Sequence, residues 1–134
     1  IKEGEKEMVR VEQLMTRELA WIESSQAVSV ASQVMRIKNI GSLLVMQGSE
    51  VIGIVTESDI VRKVVAFHLQ PEFVQVKQIM SSPIVFINES ESIFEAAGMM
   101  QSSGIRHLAV GKEDQVLGML SVRDLLSPVS RDEL

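Results

Sequence analysis

The chain has 134 residues, 46% of them apolar and 23% charged, the balance of an ordinary globular domain or of two small joined halves. It contains no cysteine, which excludes a disulfide framework, a thiolate metal site and a cysteine nucleophile. A formal net charge of −5 argues against wrapping a nucleic-acid backbone, and no apolar run approaches a membrane span.

Sliding the chain against itself by 65 positions aligns 11–61 with 76–126 without a gap. The 51 aligned positions hold 13 identical pairs, among them Met15/Met80, Ala31/Ala96, Met35/Met100, Gly53/Gly118 and Asp59/Asp124. Ordinary composition would give about 3 by chance. Two copies of one unit follow, and the expected division is 8–66 and 73–130, with a lead-in of 1–7 and a connector of 67–72.

Each unit opens on a short apolar run, Leu19-Ala20-Trp21-Ile22 and then Ile84-Val85-Phe86-Ile87. A helix follows, with Val28, Ala31, Val34 and Met35 on one face, matched by Ile93, Ala96, Met99 and Met100. Ser92 is a good N-cap with Glu95 completing a capping box, whereas the first unit has Ala27 and Val30 there and a weaker start is expected. Two strands come next, 43–46 and 51–55 around Gln47-Gly48-Ser49-Glu50, repeated as 107–110 and 116–120 around Lys112-Glu113-Asp114-Gln115. A second helix opens at Thr56 and again at Ser121. The order is β-α-β-β-α, twice. The expected class is α+β, with two halves that lack sufficient core alone and pack sheet to sheet with pseudo-twofold symmetry.

The strand-to-helix turns, Gly53 to Asp59 and Gly118 to Asp124, share the pattern Gly-x-x-(Thr/Ser)-x-x-Asp. A glycine in a strand admits a flat group close to the backbone. The following helix start offers free N–H groups suited to phosphate. The hydroxyl adds a donor, and an ionised carboxylate suits the paired hydroxyls of a ribose. The same spacing is also a plain capping box that needs no ligand.

The repeat, its element order, the Met-Thr and Met-Ser openings and the Gly-x-x-(Thr/Ser)-x-x-Asp ends resemble tandem cystathionine-β-synthase (CBS) domains, the pair called a Bateman module. Asn39 to Val45 and Gly104 to Val110 are typical wording for it, and the likeness spans about residues 8–130. It implies a regulatory module and no enzyme, binding AMP, ADP or ATP in the inter-repeat cleft and forming a homodimer. S-adenosylmethionine and NAD rank behind these. On that likeness Asp59 and Asp124 would hold ribose hydroxyls, and Thr56 and Ser121 would contact phosphate or ribose. Leu19, Ala20, Ile84 and Val85 would flank the adenine, and Arg106 and His107 would bind phosphate. Gly41 and Ser42 occupy the positions of that basic pair in the first repeat, so unequal pockets are expected. Ala20 and Val85 give the adenine no polar side chain, and Ala109 replaces a frequent proline.

Other residues read more plainly. His68 has no partner at metal spacing and is expected to be exposed. Arg62-Lys63 are read as a solvated face that could reach a diphosphate, and the eight methionines as core filler. No nucleophile-base pair, phosphate loop or carboxylate dyad appears, so catalysis has no candidate residues and no metal is called for. The rival function is a ligand-free association module whose hydroxyl–Asp pairs only cap helices. No secretory signal is apparent, and Arg131-Asp132-Glu133-Leu134 is read as a chance retention tetrapeptide, so a cytoplasmic setting is expected. The regulated partner is unknown.

Overall fold

The fold is that of a computed structural model, described over residues 8–126. In chain order the elements are α1 (Val11–Leu14), β1 (Trp21–Glu23), α2 (Val28–Lys38), β2 (Ser42–Gln47), β3 (Glu50–Thr56) and α3 (Glu57–Ile60). A widened turn, Val61–Val65, continues α3, and a tight turn, Pro71–Phe73, lies in the connection. The second series is α4 (Val76–Ile79), β4 (Phe86–Ile87), α5 (Ile93–Ser103), β5 (His107–Lys112) and β6 (Gln115–Ser121), then a single tight turn, Asp124–Leu126.

The strands form two three-stranded sheets, β1-β2-β3 and β4-β5-β6. In each, the first strand runs parallel to the second and the second antiparallel to the third. The registers repeat as well: Ile22 faces Val45 where Ile87 faces Val110, and Ser42 faces Thr56 where His107 faces Ser121. Both hairpins slip register at the same repeat position, after Val45 and after Val110. Gly111, at that slip, has φ +114°, a left-handed backbone that a side chain would strain.

Helix spacing places Val28, Ala31 and Met35 of α2 in the core, and Ala96 and Met100 of α5. Both helices end on a left-handed residue, Asn39 at φ 54° and Gly104 at φ 65°, each turning its N–H back onto the last carbonyls. At the start of α5 the Ser92 hydroxyl accepts from Glu95 N at 3.2 Å. Ala27 offers no such group, as the sequence implies, but the carbonyl of Val74 accepts from Val28 N at 2.8 Å. The same backbone support exists at α5, where Ile93 N donates to Val9 O at 3.1 Å.

These last bonds expose an exchange of segments. Two compact units form: Leu19–Ile84 is one, and of the remaining described residues those before Leu19 and those after Ile84 together form the other. The segment before each repeat therefore packs on the opposite repeat's elements. Val11 N donates to Glu91 O at 2.8 Å, and Thr16 exchanges bonds with Met119 at 2.8 and 2.9 Å. In the other unit Val76 N donates to Gln26 O at 2.9 Å, and Ser81 does with Ile54 what Thr16 does with Met119. Each unit has its own buried aliphatic cluster. One gathers Ile22, Val28, Leu43, Val45, Val55 and Val64 with Val76 and Ile79 from α4. The other gathers Ile87, Ala96, Leu108, Val110 and Leu120 with Val11 and Met15 from the chain's first segment. Among the described residues no helix is long and apolar enough to cross a membrane.

Candidate functional site

In the Leu19–Ile84 unit, β3 runs into α3 through Thr56. Thr56 N and Thr56 Oγ1 both donate to Asp59 Oδ2, at 3.0 and 3.1 Å, and Asp59 N donates back to Thr56 Oγ1 at 3.2 Å. The expected capping box is therefore present. Asp59 is only 7% exposed, and a buried carboxylate needs further partners. Lys63 Nζ supplies one at 3.0 Å from Asp59 Oδ1, and Ser81 Oγ approaches the same oxygen at 3.5 Å. The Lys63 ammonium also donates to the Ile79 carbonyl at 2.9 Å, so α4 helps to hold it in place.

The other unit repeats the cap without the cation. Ser121 N and Ser121 Oγ donate to Asp124 Oδ2 at 2.8 and 3.1 Å, and Asp124 N donates to Ser121 Oγ at 3.3 Å. Among the described residues no ammonium or guanidinium pairs with Asp124, and its Oδ1 accepts no hydrogen bond. Asp124 is half-buried. The residue in register with Ser121 is His107, which opens β5 half-buried and is itself engaged by a partner. Arg106 is exposed, and its carbonyl accepts from Val122 N at 2.9 Å. The structure thus draws Arg106, His107, Ser121 and Asp124 to one end of one sheet.

One expectation changes here. The motif glycines do give close approach to the strand, but the chain itself occupies the space. A Cβ on Gly53 would lie 2.7 Å from Met80 Sδ and 2.9 Å from Ser81 O; on Gly118 it would lie 2.7 Å from Thr16 O and 2.8 Å from Met15 Sδ. The glycines admit the Met-Ser and Met-Thr segments rather than a flat ligand. The helix expected at Ser121 begins as a tight turn, Asp124–Leu126, and the rest of its expected span lies outside the described residues.

The remaining predicted residues lie at the sheet entrances. Leu19 and Ala20 precede β1 and Ile84 and Val85 precede β4. The Ala20 carbonyl accepts from Leu44 N at 3.0 Å and the Val85 carbonyl from Ala109 N at 3.1 Å, so both tie into the neighbouring strand. Ala20 also packs on the core of its unit. His68 is exposed in a left-handed turn at φ 58°, and no group of metal-ligating side chains occurs among the described residues. Lys63 was read from sequence as solvated. Its i,i+4 spacing from Asp59 was the available signal, since an acid four residues before a base lies beside it on a helix.

The CBS domain pattern matches residues 11–66 and 76–131. A CBS-domain protein from Burkholderia ambifaria, assigned to signal transduction, superposes with a TM-score of 0.87 at 30% identity, covering 94% of this chain and 97% of that one. The hexameric CBS-CP12 protein of bloom-forming cyanobacteria gives 0.84 at 32% identity, covering 95% and 75%. An uncharacterized protein of Methanopyrus kandleri is 35% identical over 102 residues, 75% of this chain and 52% of that protein. The chain spans about half the length of that relative and about a third of one from Thermofilum pendens. With two matched repeats over most of its length, and the fold to go with them, the chain belongs to the CBS-domain family as a tandem pair.

Proposed function

We propose that this protein is a regulatory module that senses an adenosine-containing nucleotide of the AMP, ADP or ATP type, with the Ser121–Asp124 pair as the principal contact. The observation that carries the reading is the Oδ1 of Asp124, which accepts no hydrogen bond among the described residues, beside a serine whose register partner is His107. A carboxylate with one oxygen anchored and the other available is a rigid acceptor for a vicinal diol. The neighbouring basic side chains suit a phosphate on the same ligand. Within the unit that holds Asp124, Val85 is the residue proposed to flank the base. Binding would act by favouring one state of a homodimer or of a bound partner, which requires different affinity for the two states. Adenine nucleotides abound in the cytoplasm, and the reading places the protein there as a regulator rather than an enzyme.

Calorimetric titration with AMP, ADP, ATP, S-adenosylmethionine and NAD tests this. Saturable binding of one of them, lost in Asp124→Ala, is the expected result; heat from none of them sinks the reading. One observation favours a second reading, a ligand-free association module. Val61, Val65, Phe67, Leu69 and Phe73 are all exposed on the α3 continuation and the connection, and exposed apolar side chains gathered in one stretch suit a contact with another protein. The cyanobacterial relative is hexameric, which fits such a use of the fold. Sedimentation that finds a dimer indifferent to nucleotide would support this second reading.

A further inference from the structure

The two hydroxyl–Asp pairs have the same internal hydrogen bonds and differ in what reaches the Oδ1 oxygen, chiefly the Lys63 ammonium and more distantly the Ser81 hydroxyl at Asp59. At Asp59 all the accepting positions are used. Oδ2 takes Thr56 N and Oγ1, and Oδ1 takes Lys63 at 3.0 Å and Ser81 at 3.5 Å. A carboxylate has about four lone-pair sites, so no acceptor remains for an incoming diol. At Asp124 the Oδ2 side is identical and Oδ1 is open among the described residues. Lys63 is also held from its far side by the Ile79 carbonyl at 2.9 Å, so the ammonium has two fixed partners within one unit.

We infer that Lys63 is an internal plug. It occupies the diol-accepting oxygen of Asp59 and restricts nucleoside binding to the Asp124 repeat, one ligand per chain. The inference rests on the reading of these carboxylates as diol acceptors, but it does not follow from the unequal basic pair at 41–42 and 106–107. The plug is removable: the Lys63 side chain is 46% exposed, so it can swing to water once an opposing interaction competes for it. Its chemistry also sets what could compete, since a group that draws the ammonium away must be anionic, such as the phosphate of the nucleotide itself at high concentration.

The test is calorimetric titration of AMP into wild type, Lys63→Met and the double variant Lys63→Met/Asp59→Asn. Lys63→Gln serves as a second unplugged variant, and circular dichroism verifies the fold of each. The expected result is one site per chain in wild type, two in either Lys63 variant, and one again in the double variant. Asp124→Asn added to Lys63→Met should leave one site, with the first weakened at least about tenfold. Two sites in wild type overturn the inference, as does an unchanged count in both folded Lys63 variants, or binding lost with Lys63. If wild type binds no AMP, the functional reading at Asp124 fails while the plug is still decided: AMP binding gained in Lys63→Met and lost again with Asp59→Asn supports it, and no gain overturns it.

Discussion

Ser81 and Ile54 exchange two backbone hydrogen bonds, Ser81 N to Ile54 O at 2.8 Å and Ile54 N to Ser81 O at 3.0 Å, and the adjacent Gly53 leaves room for them. Thr16 and Met119 do the same beside Gly118. In both places the obstructing atoms include a backbone carbonyl, which cannot swing aside. Gly53→Ala and Gly118→Ala should therefore each destabilise by about 1–3 kcal/mol, as overpacking does. Urea unfolding monitored by circular dichroism measures it, and a loss below about 0.5 kcal/mol would show that the approach is loose.

Gly98 is the contrasting glycine. It sits inside α5 on its exposed side, with nothing within 4 Å of where a Cβ would be. Gly98→Ala should raise stability by about 0.5–1 kcal/mol, by lowering the entropy of the unfolded chain. The same unfolding assay reads the sign.

Ser92 and Ala27 stand at equivalent helix starts with unequal chemistry. Removing the hydroxyl in Ser92→Ala should cost about 1 kcal/mol, because Glu95 N then loses its acceptor. Ala27→Ser supplies the missing group at α2 and should gain up to about 1 kcal/mol. A gain at Ala27 no larger than the error would mean that the Ala27 carbonyl, which accepts from Val30 N at 3.0 Å, already meets the need at that helix start.

Val11 and Met15 belong to the buried cluster of the unit that holds β4, β5 and β6. Met15→Ala should lose about 2–4 kcal/mol by leaving a cavity. In native-state hydrogen exchange the amides of Thr16 and Met119 should open together, and those of Ser81 and Ile54 together. Exchange of Thr16 far faster than Met119 would show that the first segment is not part of that unit.

Sequence reading anticipated the local elements because each carries its own pattern. The 3.6-residue spacing of Val28, Ala31 and Met35 and the polar turns within each hairpin are signals contained in a few residues. The offset of 65 made each half check the other. Long-range partnership has no such local mark. Nothing in Val11 to Thr16 indicates that it pairs with residues from Glu89 to Met119. The role of Gly53 was misjudged for the same reason, since the group that fills its open side comes from Met80 and Ser81. At the candidate site the capping geometry was legible from Thr56-x-x-Asp59, but the commitment of Lys63 was not. Spacing alone permits the pair, and burial of Asp59 together with the Ile79 carbonyl secures it.

The exchange of segments also fixes an order of events during synthesis. A ribosome delivers the chain from its N-terminus, at about 5–20 residues per second. The Leu19–Ile84 unit is contiguous, so all its parts exist once Ile84 has emerged. Val11 and Met15 are made before any of it, yet their partners Leu108, Val110 and Leu120 are made after all of it. The earlier segment therefore waits for a partner made after the whole of the other unit, and a chain released before Leu120 lacks part of the cluster that Val11 and Met15 join.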